Sequence, residues 1–199
     1  MNVLDFISVH SVMPPTFCND ILKKFKKVKY IKHAWTNREG EEYERERGQE
    51  ELDNYWMVEE EMKLLLPYAT EAVTRYRQKI FGLHPQLHLK GAELIHKLHS
   101  FRLNRYTKGT NMAPHVDNIT SIFDGKEKGV PILSIVGILN ENYEGGEFIV
   151  CNQKIILKTG EIIIFPSNFM FPHEVKPITK GTRYSFITWD IRMDLIILT

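Results

Sequence analysis

From Glu93 onward the chain is cut by glycine turns into runs too short for helices. Lys108-Gly109, Asp124-Gly125, Glu144-Gly145-Gly146, Thr159-Gly160 and Lys180-Gly181 separate segments rich in β-branched and aromatic residues. This punctuation predicts strands over 93–106, 112–117, 130–139, 146–151, 153–158, 161–165, 171–176 and 182–190. Eight short strands in sequence close most readily into two facing sheets, and such a roll carries a ligand site in its open mouth.

The first 92 residues read differently. Pro14 and Pro15 introduce a helix over Thr16 to Lys27, with Phe17, Ile21, Leu22 and Phe25 at helical spacing. Its lysines (Lys23, Lys24, Lys26, Lys27) and Lys29 after it make a solvated face, with a nucleic-acid patch as the alternative. The stretch 36–53 is dense in charge and poor in aliphatics, so it is expected to be a loop and a candidate lid. A second helix is expected over Tyr55 to Phe81. Asp53 or Asn54 would cap it, Pro67 would interrupt or kink it and Gly82 would end it. Val58, Met62, Leu65, Leu66, Ala69, Ala72, Val73 and Tyr76 form its apolar stripe. The expected architecture is therefore a single domain over 1–199, mainly β with flanking helices (α+β). Residues 1–92 form a helical support region, and 93–199 form a double-stranded β-helix (a cupin-like jelly roll) with the helices packed on one sheet.

The composition bounds function only loosely. A chain of 199 residues, 43% hydrophobic and 26% charged, with a net charge of +1, is an ordinary globular protein with no overall bias toward polyanions. Its two cysteines, Cys18 and Cys151, are far apart in sequence and make no metal spacing, so reduced thiols are expected. No basic-then-apolar leader and no apolar run of spanning length is seen, which points to a cytoplasmic protein without a membrane partner.

Chemistry concentrates in four residues. His115 and Asp117 lie two apart in Pro114-His115-Val116-Asp117, which places both side chains on one face of a strand. His173 begins a later strand in Phe171-Pro172-His173, and Arg183 follows in Gly181-Thr182-Arg183. Two imidazoles and one carboxylate on one side of a cation leave three positions open, the arrangement that suits non-haem Fe(II) oxygenases. A guanidinium nearby forks onto a carboxylate. The other six histidines (His10, His33, His84, His88, His96, His99) lack a partner at useful spacing and read as structural or surface residues. Trp35, Tyr43, Tyr55 and Trp56 flank the charged stretch and are candidates for contact with an extended peptide.

These motifs occur in the order Arg105-Tyr106, His115-Val116-Asp117, Leu139-Asn140, Tyr143-Glu144-Gly145-Gly146-Glu147-Phe148, Phe165-Pro166-Ser167, His173-Glu174-Val175, Lys180-Gly181-Thr182-Arg183-Tyr184-Ser185 and Trp189. So ordered, residues 93–190 resemble the catalytic domain of the Fe(II)/2-oxoglutarate-dependent dioxygenases, most closely the prolyl 4-hydroxylase type. The resemblance implies His115, Asp117 and His173 as iron ligands. It implies Arg183, Tyr106 and Ser185 around 2-oxoglutarate, and Trp189, Asn104 and Glu147 as candidate substrate contacts. It also implies O2 as oxidant, ascorbate as a candidate auxiliary reductant, and oxidation of an unactivated C–H in a protein or peptide substrate, with 2-oxoglutarate leaving as succinate and CO2. Collagen-type prolyl hydroxylases usually place lysine where Arg183 stands. Oxygen-sensing relatives often carry tyrosine where this chain has Ile138. Asn104-x-Tyr106 is also similar to nucleic-acid demethylases of the superfamily, but their second arginine falls at Trp189, where prolyl hydroxylases carry tryptophan. The competing readings are an oxygenase of the same fold acting on a nucleic-acid base or free small molecule, and a cupin-like metal-binding domain that never activates oxygen.

Overall fold

The protein, examined as a computed structural model, is described over residues 2–36, 42–43, 51–85, 97–98, 100–117 and 130–192. A short 3-10 turn (Val3–Phe6) precedes strand β1 (Ser8–Ser11), helix α1 (Pro15–Phe25), β2 (Ile31–Lys32), β3 (Trp35–Thr36), β4 (Glu42–Tyr43) and β5 (Asp53–Trp56). Helix α2 (Glu59–Leu83) is followed by β6 (Lys97–Leu98), β7 (Arg102–Tyr106), β8 (Met112–His115), β9 (Val130–Ile138) and β10 (Tyr143–Gly145). Then come β11 (Phe148–Val150), β12 (Gln153–Ile155), β13 (Glu161–Pro166), β14 (His173–Val175), β15 (Ile178–Gly181) and β16 (Arg183–Arg192).

The strands form a jelly roll. The major sheet runs β1-β13-β9-β16-β7-β5-β2, with β6 also on β16, and the minor sheet runs β12-β11-β14-β8. Strand alternation sorts the side chains. In β13, Ile162 and Ile164 join the helical layer, while Ile163 and Phe165 fill the space between the sheets. This strand is buried on both faces, which explains its unbroken apolar run. Helices α1 and α2 cover the outer face of the major sheet with Cys18, Ile21, Phe25, Leu65, Ala69, Ala72, Val73 and Tyr76. The inner face, lined by Tyr106, Val136, Ile138 and Ile187, is left to the site.

One backbone position makes that outer layer close. Gly137 on β9 pairs with Phe186 on β16, and the Phe186 ring occupies the space where a β-carbon would project. Gly137→Ala therefore overpacks the layer and lowers stability by about 1–3 kcal/mol, read as an earlier urea midpoint with unchanged slope.

The N-terminal half departs from its sequence reading in four ways. Asp53 and Asn54 do not cap a helix, because 53–56 form β5 beside β7, where Asp53 meets Arg105 at 2.8 Å. Helix α2 starts instead at Glu59, after Val58, whose N–H donates to the Glu61 carboxylate. Pro67 does not interrupt the helix, which continues past Gly82 to Leu83. Pro67 is exposed, so water can satisfy the carbonyl its ring leaves without a partner. Val58 and Leu66, expected in the apolar stripe, are exposed. The support region is thus not purely helical, since β1 and β5 extend the major sheet. Much of the charged stretch 36–53 lies outside the described residues. Its described parts include Thr36 in β3, Glu42 and Tyr43 in β4, the fully buried Leu52, and Asp53 in β5.

In the C-terminal half, β10 and β15 form an extra two-stranded ladder that the glycine pattern does not reveal. The β11–β12 hairpin turns on Cys151 and Asn152, both at positive φ. Both cysteines are unbonded. Among the described residues no helix is long and apolar enough to cross a membrane.

Candidate metal and co-substrate site

His115 ends β8 and His173 begins β14, directly opposite each other in the minor sheet. The strand stops at His115, so Asp117 lies just beyond it rather than within it. The three side chains nevertheless converge. Their donor atoms lie within 4.8 Å of one another. His115 Nε2 is 3.4 Å from Asp117 Oδ1, and His173 Nε2 is 3.6 Å from Oδ2.

The ring orientation is set by the backbone. His115 Nδ1 lies 2.8 Å from the Ala113 carbonyl and His173 Nδ1 lies 3.2 Å from that of Phe171. A carbonyl only accepts, so both Nδ1 atoms donate. A neutral ring then presents a bare Nε2 lone pair to a carboxylate. Acceptors facing acceptors at this distance call for a cation between them. Burial against Phe148 and Phe165 lowers His173 to a pKa of about 4, against a smaller upward pull from Asp117, so the ring is neutral at pH 7. Burial pushes the Asp117 carboxyl up, but the neighbouring imidazoles and the Ser134 hydroxyl outweigh it and hold the group below the usual carboxylate range.

Ser134 is a residue that sequence reading missed. On the inner face of β9 it donates to Asp117 Oδ2 at 2.6 Å, with Ser167 Oγ 2.9 Å behind it. Both serines are fully buried. Such outer partners fix a ligand's orientation, so Ser134→Ala weakens metal affinity about 10- to 100-fold, measured by titration with Mn(II) while the circular dichroism stays unchanged.

Arg183 stands on β16 across from Tyr106 on β7. It is 1% exposed, yet among the described residues its Nε and Nη2 have no hydrogen-bond partner. Nη1 donates to Ser185 Oγ at 3.2 Å, and the guanidinium lies 4.9 Å from the Tyr106 ring centre. Burial pushes the Tyr106 phenol up, opposed by Arg183 and Arg102, so it remains a donor at neutral pH. Asn140 straddles the start of β16. It donates to the Thr182 carbonyl at 2.8 Å and accepts from the Tyr184 N–H at 2.7 Å, fixing the strand on both sides of Arg183. Gly146, at positive φ, leaves room beside the Arg183 stem.

The candidate substrate residues scatter more widely. Trp189 lies on the inner face, 6.3 Å from Trp56. Asn104 is buried on β7, opposite Ser185. Glu147 is a half-buried rim charge paired with Lys154 at 3.3 Å, and with Arg183 it borders a cavity of about 190 Å³. His33 and Arg102, given no role from the sequence, lie beside the triad. His33 Nδ1 is 3.5 Å from Arg102 Nη1. Burial, with Arg102 and His115 adding to it, lowers His33 to about 3. The side chains of Trp35 and Tyr43, and His88, His96 and His99, lie outside the described residues.

A jelly roll that gathers two imidazoles and a carboxylate at one end, with a buried guanidinium behind them, defines a mononuclear-metal domain with an open coordination side. Residues 101–190 match the family model of the 2OG-Fe(II) oxygenase superfamily. A PKHD-type hydroxylase of Nitrobacter winogradskyi is 34% identical over 111 residues, 51% of this chain and 47% of that protein. Another, from Aliarcobacter butzleri, is 35% identical over 94 residues, 43% of this chain and 40% of its own length. The chain thus spans about half the length of the curated relatives it matches. In fold it is similar to a Pseudomonas putida prolyl-4-hydroxylase (TM-score 0.65, 18% identity, 94% of this chain and 93% of the other). It is also similar to a Trichoplax adhaerens prolyl hydroxylase solved with a hypoxia inducible factor peptide fragment (TM-score 0.66, 18% identity, 94% and 84%).

The superfamily implies Fe(II), 2-oxoglutarate and O2. The residues present fit the first two. The facing acceptors suit a divalent cation, and the unsatisfied nitrogens of a buried guanidinium suit a carboxylate.

Proposed function

We propose that the protein is an Fe(II)/2-oxoglutarate-dependent dioxygenase that hydroxylates an unactivated C–H, with a prolyl residue of a peptide or protein as substrate. The observation that carries this reading is the cluster of His115, Asp117 and His173 with the unsatisfied Arg183 on the facing sheet. His115, Asp117 and His173 hold the iron. Arg183 binds the distal carboxylate of 2-oxoglutarate, and Tyr106 adds a phenolic hydrogen bond to it. When bound, iron with 2-oxoglutarate and O2 supplies the oxidising power that converts C–H to C–OH, while the keto acid leaves as succinate and CO2.

The protein's own part is positioning. Ser185 and Asn140 aim Arg183, and Ser134 aims Asp117. Phe148 and Phe165 close the back of the site against His173 and exclude water there. Residues 1–92 support the 93–199 core within one domain and supply part of its mouth through Trp56. The prolyl assignment draws on the hydroxylase relatives and on the peptide-bound neighbour of the same fold. The lysines of α1 give the nucleic-acid reading little support, because that helix packs on the outer face of the major sheet, away from the triad.

The test is incubation with Fe(II), 2-oxoglutarate and O2 against a panel of proline-containing peptides and methylated oligonucleotides, read by mass and by succinate formed. The expected result is one oxygen gained by a peptide with one succinate per turnover. Oxygen gained or a methyl lost only on oligonucleotides, or no succinate with any substrate, contradicts the reading.

A further inference from the structure

The inner face of β7 carries Arg102, Asn104 and Tyr106 at alternate positions. Tyr106 serves the co-substrate end, opposite Arg183. Arg102 faces the same interior four residues away, about 13 Å along the strand. It is 6% exposed, and among the described residues its Nε has no hydrogen-bond partner. Among the described residues no carboxylate comes within salt-bridge reach of it. Tyr106 and Asp117 act on it electrostatically, and Asp117 is already committed to the triad. Two indoles and an imidazole stand beside it. The guanidinium carbon is 5.5 Å from the Trp56 ring and 5.7 Å from that of Trp189, and Nη1 lies 3.5 Å from His33 Nδ1.

A buried cation without a counter-charge is costly unless something else brings the anion. Indole faces soften that cost without removing it. The distal carboxylate of 2-oxoglutarate is not the missing partner, because on the reading above Arg183 takes it. Trp56 is 44% exposed, so the surroundings of Arg102 border solvent.

We propose that Arg102, flanked by Trp56, Trp189 and His33, is a specificity subsite for a carboxylate carried by the substrate close to the carbon that is oxidised. The inference rests on the dioxygenase reading above and deepens it. The carboxylate comes either from an acidic side chain beside the target residue in a peptide or from the free carboxyl group of a small amino-acid-like substrate.

Two of the three tryptophans border this subsite, so intrinsic fluorescence reports binding directly. The full chain is loaded with Mn(II) and 2-oxoglutarate. It is then titrated with N-acetylproline and N-acetylprolinamide, and with N-acetyl-Pro-Glu-amide and N-acetyl-Pro-Gln-amide. At least one acid binds tenfold or more tightly than its amide partner. That preference disappears in Arg102→Gln and is partly kept in Arg102→Lys. Preference in the first pair identifies a small-molecule source, and in the second an acidic peptide. Three results overturn the proposal: equal binding of acid and amide in both pairs (absence of binding included), a preference that survives Arg102→Gln, or an Arg102→Gln variant that loses 2-oxoglutarate by the same factor as the acids. The acid-against-amide comparison on the unmodified chain decides even if a variant fails to fold. Acid preference without oxygen gain on any peptide leaves the subsite standing and sinks the prolyl reading instead.

Discussion

Replacing Asp117 with alanine abolishes divalent-metal binding at micromolar concentrations and takes succinate formation with it. Asp117 is the only anionic donor in the cluster, set between two imidazoles whose Nδ1 protons are already given to backbone carbonyls. Removing it leaves two neutral ligands and no charge to offset the cation. The loss should exceed the roughly 10- to 100-fold effect of deleting an outer partner such as Ser134. The fold survives, because Ser134 keeps Ser167 as a partner and the change removes a buried charge rather than stranding one. His115→Ala gives the same metal result. Mn(II) titration alongside a thermal melt checks both variants. Wild-type metal affinity in either one removes that side chain from the ligand set.

The second large effect belongs to Arg183. Changing it to methionine keeps the stem packed against Gly146 and Tyr106 but withdraws the fork. At least two charge-assisted hydrogen bonds to the co-substrate are lost. At about 1.5 kcal/mol each, the lower end for such bonds, this weakens 2-oxoglutarate about a hundredfold or more. Mn(II) affinity, measured without 2-oxoglutarate, changes far less, because Arg183 touches none of the three ligands. Arg183→Lys restores the charge without the bidentate geometry and recovers only part of the loss. Equal loss of metal and 2-oxoglutarate affinity in Arg183→Met contradicts the assigned role.

The β half of the fold was legible because its strands announce themselves twice, by alternation and by glycine turns. Runs such as Glu161–Pro166 and Arg183–Arg192 are long enough for both signals. What escaped was short or polar. Strands β1, β10 and β15 have three or four residues each, too few to show a period. Strand β5 was absorbed into the following helix because Tyr55 and Trp56 abut the helical stripe, and Asp53 and Asn54 are as suited to capping as to pairing. The ladder to β7, a long-range contact, decides between them.

The triad and Arg183 were legible for a different reason: each has a rare residue type at a fixed place in an ordered series. Ser134 and Ser167 carry no such signal, since serine in a strand has many uses. Ser134 does share a face with Val136 and Ile138, and one hydroxyl on an otherwise apolar inner face is the mark that could have found it. The same reasoning applies to β7. Arg102, Asn104 and Tyr106 put three polar residues on one inward face of a strand whose intervening Leu103 packs outward against the helices. His33 could be placed only by the fold, because 82 positions of sequence separate it from His115.

The most direct test of the account is an ordered calorimetric titration of the metal-free chain. Mn(II) is added first, then 2-oxoglutarate, and the two are then added in reverse order. The account predicts one metal per chain, and 2-oxoglutarate binding that is tight with metal present and at least tenfold weaker without it, because the triad cation and Arg183 grip opposite ends of one molecule. No metal bound, or 2-oxoglutarate bound equally well in either order, would contradict it.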